Sequence, residues 1–180
     1  LEGLNQVMQE AKPDIVLVHG DTTTTFVASL AAFYNSIPIG HVEAGLRTWN
    51  KFSPYPEEMN RQLTGVMADL HFAPTSMSKQ NLLQENKPEQ AIFVTGNTAI
   101  DALNTTVKAN YTHPVLEKLG NDRLILMTAH RRENLGEPME NMFRAISRLV
   151  EKHEDVQVVY PVHMNPVVRQ IADRILGDNN

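Results

Sequence analysis

Four charged segments of this chain combine acids, histidines and arginines at the breaks between strand-like and helical runs. They are residues 19–24 (HGDTTT), 41–47 (HVEAGLR), 55–61 (YPEEMNR) and 128–134 (TAHRREN). In a parallel α/β sheet, ligands bind beyond the carboxyl ends of the strands. Three of the segments directly follow a predicted strand, so these side chains are expected at one cleft. The combination suits a negatively charged substrate and proton-transfer chemistry.

Two of the candidate acids follow predicted strands. Asp21 precedes a run of threonines at a predicted helix start, where an acid can act as a base or only favour the positive end of the helix. Thr22 and the helix-start amides can hold polar groups of a ligand. Glu43 follows the next strand and is the second candidate acid. The structural alternative is a surface ion pair between Glu43 and Arg47, which would stabilise the fold little.

Glu57 and Glu58 open a predicted helix, where acids favour the helix dipole. One of them can face the cleft while the other faces solvent. The spacing of four residues from Glu57 to Arg61 also permits an ordinary helical ion pair. Glu57 therefore stays a candidate catalytic acid beside a structural alternative.

The cationic side chains cluster after the fifth predicted strand. His130, Arg131 and Arg132 precede a helix, and two arginines at a helix entrance are typical of a phosphate clamp. His163 has a similar position after the final strand. His71 and His113 have no partner at ligand-like spacing, and no His-x-x-x-His pair occurs, so no metal site is predicted.

Composition excludes several classes of function. There is no cysteine, which excludes disulfides and thiolate chemistry. Neither G-x-G-x-x-G nor a P-loop occurs, so no NAD, P-loop nucleotide or other cofactor is expected. The net charge of −5 argues against nucleic acid as a partner. No apolar run is long enough for a membrane span, and we expect a cytoplasmic protein.

Strand-like runs alternate with helical patterns along the whole chain, which predicts an α/β fold with doubly wound parallel sheets. Apolar residues make up 42% of the chain, enough for a real core. The pattern weakens in the middle, so we predict one domain over 1–96, a junction over 97–114 and a second domain over 115–180. The chain begins within a helical pattern and without Met, which is typical of a fragment.

The charged segments closely resemble the bacterial non-hydrolysing UDP-N-acetylglucosamine 2-epimerases. The resemblance covers nearly the whole chain in order. The matching stretches are residues 13–22 (PDIVLVHGDT), 41–47 (HVEAGLR), 54–61 (PYPEEMNR), 95–101 (TGNTAID), 130–134 (HRREN) and 160–166 (YPVHMNP).

The resemblance implies parts of two Rossmann-like domains of glycosyltransferase-B architecture, with the nucleotide between them. It implies that Asp21, Glu43 and Glu57 are the catalytic acids and that His130 is the active-site histidine. It also implies a homodimer that supplies cell-surface polysaccharide synthesis. Some family members bind a second UDP-N-acetylglucosamine as an allosteric activator, and the residues resembling that site are Arg131 and His163.

The family chain is about twice as long as this one, and two of its nucleotide-contacting segments are missing here. The resemblance therefore implies a central piece of the enzyme, inactive by itself. Three alternatives remain open: a glycosyltransferase of the same architecture, a hydrolysing epimerase, and a non-catalytic sugar-nucleotide-binding module. The group of acids favours proton transfer over glycosyl transfer.

Overall fold

The structure, a computed structural model, describes residues 1–177 and, within that range, every side chain except that of Arg132. The chain divides into two compact units, of which the first ends at Val107 and the second begins at Lys108. Each unit contains a parallel sheet with helices between its strands. The predicted α/β class with parallel sheets is confirmed.

The first unit carries a sheet of four parallel strands in sequential order, β1-β2-β3-β4. Because all strands run in the same direction, their carboxyl ends meet at one edge of the sheet. The elements are α1 (Glu2–Ala11), β1 (Val16–His19), α2 (Thr23–Tyr34), β2 (Ile39–Val42), α3 (Glu57–Met67), β3 (Leu70–Ala73), α4 (Ser76–Gln84), β4 (Ile92–Val94) and α5 (Thr98–Thr106).

Small residues let helices approach this sheet closely. Ala31 and Ala32 of α2 are fully buried against Val18 and Ile39. Gly45 follows β2 with a φ of +86°, and a Cβ there would lie 2.3 Å from the carbonyl oxygen of Ser78. Only glycine fits this position, because both the backbone conformation and the contact exclude a side chain.

The second unit has two parallel strands whose register pairs Arg123 with Val156. Its core lies between the two long helices, which contribute Met139 and Phe143 on one side and Val168 and Ile171 on the other. The elements are α6 (Pro114–Glu117), β5 (Arg123–Leu126), α7 (Glu137–Lys152), β6 (Val156–Val159) and α8 (Pro166–Leu176).

Helix α5 lies within the stretch 97–114 that the sequence marks as a junction. Its apolar residues Ile100 and Leu103 are exposed. The helix therefore lacks a buried apolar face, which is the pattern by which helices are predicted from sequence. Across residues 1–177, no helix is both long and apolar enough to cross a membrane.

Candidate active site

The turn after β1 is fixed by threonines and carries Asp21 at its tip. Thr22, and not Asp21, caps α2: its hydroxyl oxygen accepts from the Thr25 amide at 3.2 Å. The Thr25 hydroxyl donates to the His19 carbonyl at 2.6 Å. The Thr22 hydroxyl must then donate to the Thr25 hydroxyl oxygen 3.0 Å away, because the single hydroxyl proton of Thr25 is already donated to His19. The hydroxyl of Thr22 keeps only acceptor capacity for a ligand.

Asp21 makes its strongest contacts with α3. Its carboxylate lies 3.1 Å from the guanidinium of Arg61, and its backbone carbonyl accepts from the side-chain amide of Asn60 at 2.9 Å. Both partners are buried. The first turn after β1 is therefore tied to a helix about forty residues further along the chain.

Burial raises the pKa of Asp21 above its usual value. Arg61 opposes this effect, while the nearby charges of Glu57 and Glu43 add to it. The charges of Glu57 and Glu43 therefore act on Asp21 through space, as neighbouring acids around a single site do. A carboxyl group that keeps its proton closer to neutral pH is better suited to general acid–base work.

Glu43 is held at both carboxylate oxygens. Oε1 accepts from the side-chain amide of Asn97 at 3.0 Å, and Oε2 lies 3.6 Å from Nε2 of His19. The backbone of Glu43 has a φ of +66°, a left-handed conformation that costs a residue with a side chain on the order of 1 kcal/mol. The alternative pair with Arg47 is not what the structure shows, since Arg47 binds both oxygens of Glu85 at 2.6 and 2.8 Å.

Glu58 is fully buried and organises the loop before α3. Its oxygens accept from the backbone amides of Thr48 at 3.1 Å and Trp49 at 3.0 Å. Burial alone would raise the pKa of Glu58, but the hydrogen bonds from Gln62 and the two amides, with the charge of Arg61, outweigh it and lower the pKa. The carboxylate of Glu58 therefore has a structural role, and its side chain does not face solvent.

Arg61 does not form the alternative ion pair with Glu57 that the spacing of four residues permits. Its guanidinium contacts the carboxylates of Asp21 and Glu58 and reaches only the backbone carbonyl of Glu57, at 3.4 Å. The carboxylate of Glu57 is half-buried at the start of α3. Glu57 is thus left available for a substrate while Arg61 joins one candidate acid to the structural Glu58.

Two buried histidines, His41 and His71, lie side by side on β2 and β3. Nε2 of His41 lies 2.8 Å from the Gly20 carbonyl, which only accepts, so we assign the proton to that nitrogen. Burial, the largest cause, lowers the pKa of each histidine to about 4. Both are therefore neutral at pH 7, and His41 supports the turn that carries Asp21.

In the second unit, the carboxyl ends of β5 and β6 bring His130 and His163 together. Their rings stack with centroids 5.3 Å apart and planes inclined by 25°. Nδ1 of His163 accepts from the Asn165 amide at 3.1 Å. Arg131 is exposed beside His130, and the side chain of Arg132 lies outside the described part of the structure.

The structure therefore groups the predicted site residues within each unit. In the first unit the charges of Glu43 and Glu57 act on Asp21, and in the second unit His130 stacks on His163. Sequence reasoning missed Asn97, because the helix that follows it was not predicted and its contact with Glu43 spans 54 positions of the chain. Among residues 1–177, no group of three or more histidine, cysteine or acidic side chains could hold a metal ion.

The family model described as "UDP-N-acetylglucosamine 2-epimerase" matches residues 1–180. The UDP-N-acetylglucosamine 2-epimerase of Bacillus subtilis (strain 168) is 69% identical over 177 residues, which cover 98% of this chain and 47% of that protein. The S. aureus MnaA–UDP co-structure is 58% identical with a TM-score of 0.95, covering 98% of this chain and 48% of that one.

A crystal structure of UDP-GlcNAc 2-epimerase from Neisseria meningitidis bound to UDP-GlcNAc is 45% identical, with a TM-score of 0.86. The match covers 99% of this chain and 50% of the Neisseria chain. The chain spans about half the length of the curated relatives it matches.

Proposed function

Because the chain belongs to the UDP-N-acetylglucosamine 2-epimerase family, we propose that the complete protein containing it inverts C2 of UDP-N-acetylglucosamine to give UDP-N-acetylmannosamine. One observation in the first unit supports this most directly. Asp21 is partly withdrawn from water, and its pKa is raised by burial and by the charges of Glu57 and Glu43. A group of interacting acids suits a reaction that removes a proton and returns it.

The chemistry requires more than a base, because no carbonyl group acidifies the hydrogen at C2 of the sugar. In the proposed route, UDP leaves C1 before or during proton removal. The positive character that develops at C1 makes the C2 proton removable, and a glycal forms. UDP then adds back while a proton is delivered to the opposite face of C2. No electrons are exchanged with a cofactor, so none is proposed.

The residues divide the work by charge. Asp21, Glu43 and Glu57 transfer protons at the two faces of the sugar, and His130 with Arg131 and Arg132 stabilises the departing pyrophosphate. Thr22 shapes the turn that carries Asp21, and its remaining acceptor capacity suits a sugar hydroxyl. The acids lie on the first unit and the cations on the second, and the proposed reaction uses both groups of side chains.

The further parts of the proposal concern regulation and assembly. We assign Arg131 and His163 to a site for a second UDP-N-acetylglucosamine that activates the enzyme. The stack of His163 on His130 supports this assignment, because a ligand at one histidine would restrain the other. A homodimer of glycosyltransferase-B architecture, working in the cytoplasm to supply cell-surface polysaccharide synthesis, completes the proposal.

Proton NMR of UDP-N-acetylglucosamine in D2O tests the reaction. With the complete protein, we expect the C2 proton signal to disappear while the manno epimer appears without any acceptor. The 180-residue chain is expected to be inactive alone, because it spans about half the length of its relatives. No exchange with the complete protein would overturn the proposal. Release of free N-acetylmannosamine would identify a hydrolysing enzyme instead.

A further inference from the structure

Asn97, between β4 and α5, uses both ends of its side-chain amide. Its Oδ1 accepts from the Ala99 backbone amide at 2.8 Å and so caps α5. Its Nδ2 donates to Oε1 of Glu43 at 3.0 Å. Because the cap requires the oxygen to face Ala99, the NH₂ end of Asn97 is fixed toward Glu43.

The surroundings of Glu43 give this contact its importance. The residue follows β2 in a left-handed conformation, so its backbone does not place the side chain in an ordinary extended register. The facing titratable groups are His19 from β1, at 3.6 Å from Oε2, Asp21 from the turn after β1, and His41 from β2. Asn97 supplies the direct hydrogen bond to the other oxygen, Oε1.

We propose that Asn97 is a positioning residue that orients the Glu43 carboxylate for proton transfer. The proposal rests on the proposed function of Glu43 and extends it to a residue 54 positions further along the chain. A neutral amide suits this task, since it donates one hydrogen bond without adding a charge to a site that already contains several acids. The cap on α5 fixes the donor on a regular element.

The decisive variant is Asn97→Asp in the complete protein. Aspartate caps a helix about as well as asparagine, so α5 keeps its start. The donor is replaced by a carboxylate facing Glu43, and two carboxylates so close resist full ionisation. We expect kcat to fall by about tenfold or more, KM to change less than kcat, and the acid limb of the pH profile of kcat/KM to move to higher pH.

Asn97→Ser is the matched control. Serine also caps the helix but is too short to reach Glu43 and adds no charge. We expect a smaller fall in kcat and an acid limb at the wild-type pH. If Asn97→Asp and Asn97→Ser both keep the kinetics and the pH profile of the wild type, Asn97 acts only through the cap and the proposal is overturned.

A second measurement does not depend on epimerase activity. In the double variant Glu43→Gln with Asn97→Asp, the amide and the carboxylate exchange places, and one hydrogen bond can form again. We expect the double variant to have a higher Tm than the sum of the two single changes predicts. Additive changes in Tm would contradict the proposed interaction between Asn97 and Glu43, even if the enzyme is active. Absence of epimerisation by the wild type would contradict only the proposed function.

Discussion

The two units place the same kind of ion pair in opposite environments. Arg47 binds both oxygens of Glu85 at 2.6 and 2.8 Å in the first unit, and Arg123 binds both oxygens of Asp155 at 2.7 and 2.9 Å in the second. The side chain of Arg47 is 0% exposed, whereas that of Arg123 is 65% exposed. Equal geometry therefore does not imply equal energy, because water competes much more for the exposed pair than for the largely buried one.

The candidate site residues follow the same division. In the first unit, Asp21 and Glu43 are held by named partners from other elements, namely Arg61 and Asn97. In the second unit, His130 and His163 are exposed and stack on each other. The first arrangement is typical of a preorganised catalytic site, and the second leaves two imidazole rings and the neighbouring guanidinium of Arg131 exposed, where a phosphate can approach them.

The largest expected effect comes from the acids of the first unit. Asp21→Asn removes the proton carrier but keeps the size of the side chain, so we expect kcat/KM to fall by about 10²- to 10⁴-fold. Glu43→Gln is expected to act in the same direction. Both are measured in the complete protein by the rate of C2 proton exchange.

Asp155→Asn is the control, because it makes the same chemical change at an exposed carboxylate of the second unit. Its kcat/KM should equal that of the wild type. Near-wild-type exchange by Glu43→Gln would remove Glu43 from the mechanism and leave Asn97 with only its cap.

The buried histidines make the first unit sensitive to acid. The pKa of His41 and of His71 is lowered to about 4 by burial. Between about pH 6.5 and pH 4, these histidines are therefore protonated in the unfolded chain but remain neutral in the folded one. Stability is therefore complete above about pH 6.5 and falls as the pH drops toward 4. One such histidine contributes a loss on the order of 3 kcal/mol.

His71→Gln should reduce this acid-dependent loss, because glutamine does not titrate. Urea unfolding at about pH 7 and about pH 4.5, followed by circular dichroism, measures the difference. His163→Gln, at an exposed ring of the second unit, is the control. Equal losses in the wild type and in His71→Gln would show that His71 does not cause the acid sensitivity.

Much of this arrangement was predictable from local sequence, and the rest depends on distant contacts. The apolar runs before Asp21 and Glu43 predicted two strands, and their common direction predicted that both acids lie at one edge. The ion pairs weighed at helical or short spacing, Glu43 with Arg47 and Glu57 with Arg61, were wrong. Short spacing shows which side chains can meet, but it does not show which partner from another element competes for them.

Burial was equally hidden from local sequence at Glu58. The pattern at the start of α3 allowed one acid to face the cleft and the other to face solvent, since acids at a helix start need no side-chain partner. The structure instead buries Glu58 beneath the loop 48–49. Sequence spacing cannot indicate which backbone amides will bind a carboxylate, because every residue except proline has a backbone N–H group.

The neighbouring glutamates of α3 give a comparison within one unit. Glu58→Gln replaces an oxygen that accepts a hydrogen bond from a backbone amide with a donor, so one partly buried amide of the loop loses its partner. We expect a loss of about 2 kcal/mol in the free energy of unfolding. Glu57→Gln should keep the stability and lose at least about 10²-fold in kcat/KM.

Thermal unfolding and C2 exchange on the two variants separate the roles. A stable Glu58→Gln with low activity would assign the catalytic role to Glu58 and contradict the structural role given to it here. A strongly destabilised Glu57→Gln would show that its carboxylate, too, is a structural group.

The smallest effects come from the two ion pairs and test the difference between the units itself. Arg47→Gln removes a buried guanidinium from Glu85, whose side chain is 22% exposed and can recover part of its hydration. We therefore expect a moderate loss of about 1–2 kcal/mol. Arg123→Gln should change the stability too little to measure at about 0.15 M salt.

A double-mutant cycle for each pair, which combines Arg47→Gln with Glu85→Gln and Arg123→Gln with Asp155→Asn, measures the coupling energy between its two side chains. Equal coupling energies would mean that bidentate geometry decides the strength of these pairs. Coupling confined to Arg47 and Glu85 would instead assign the difference to burial.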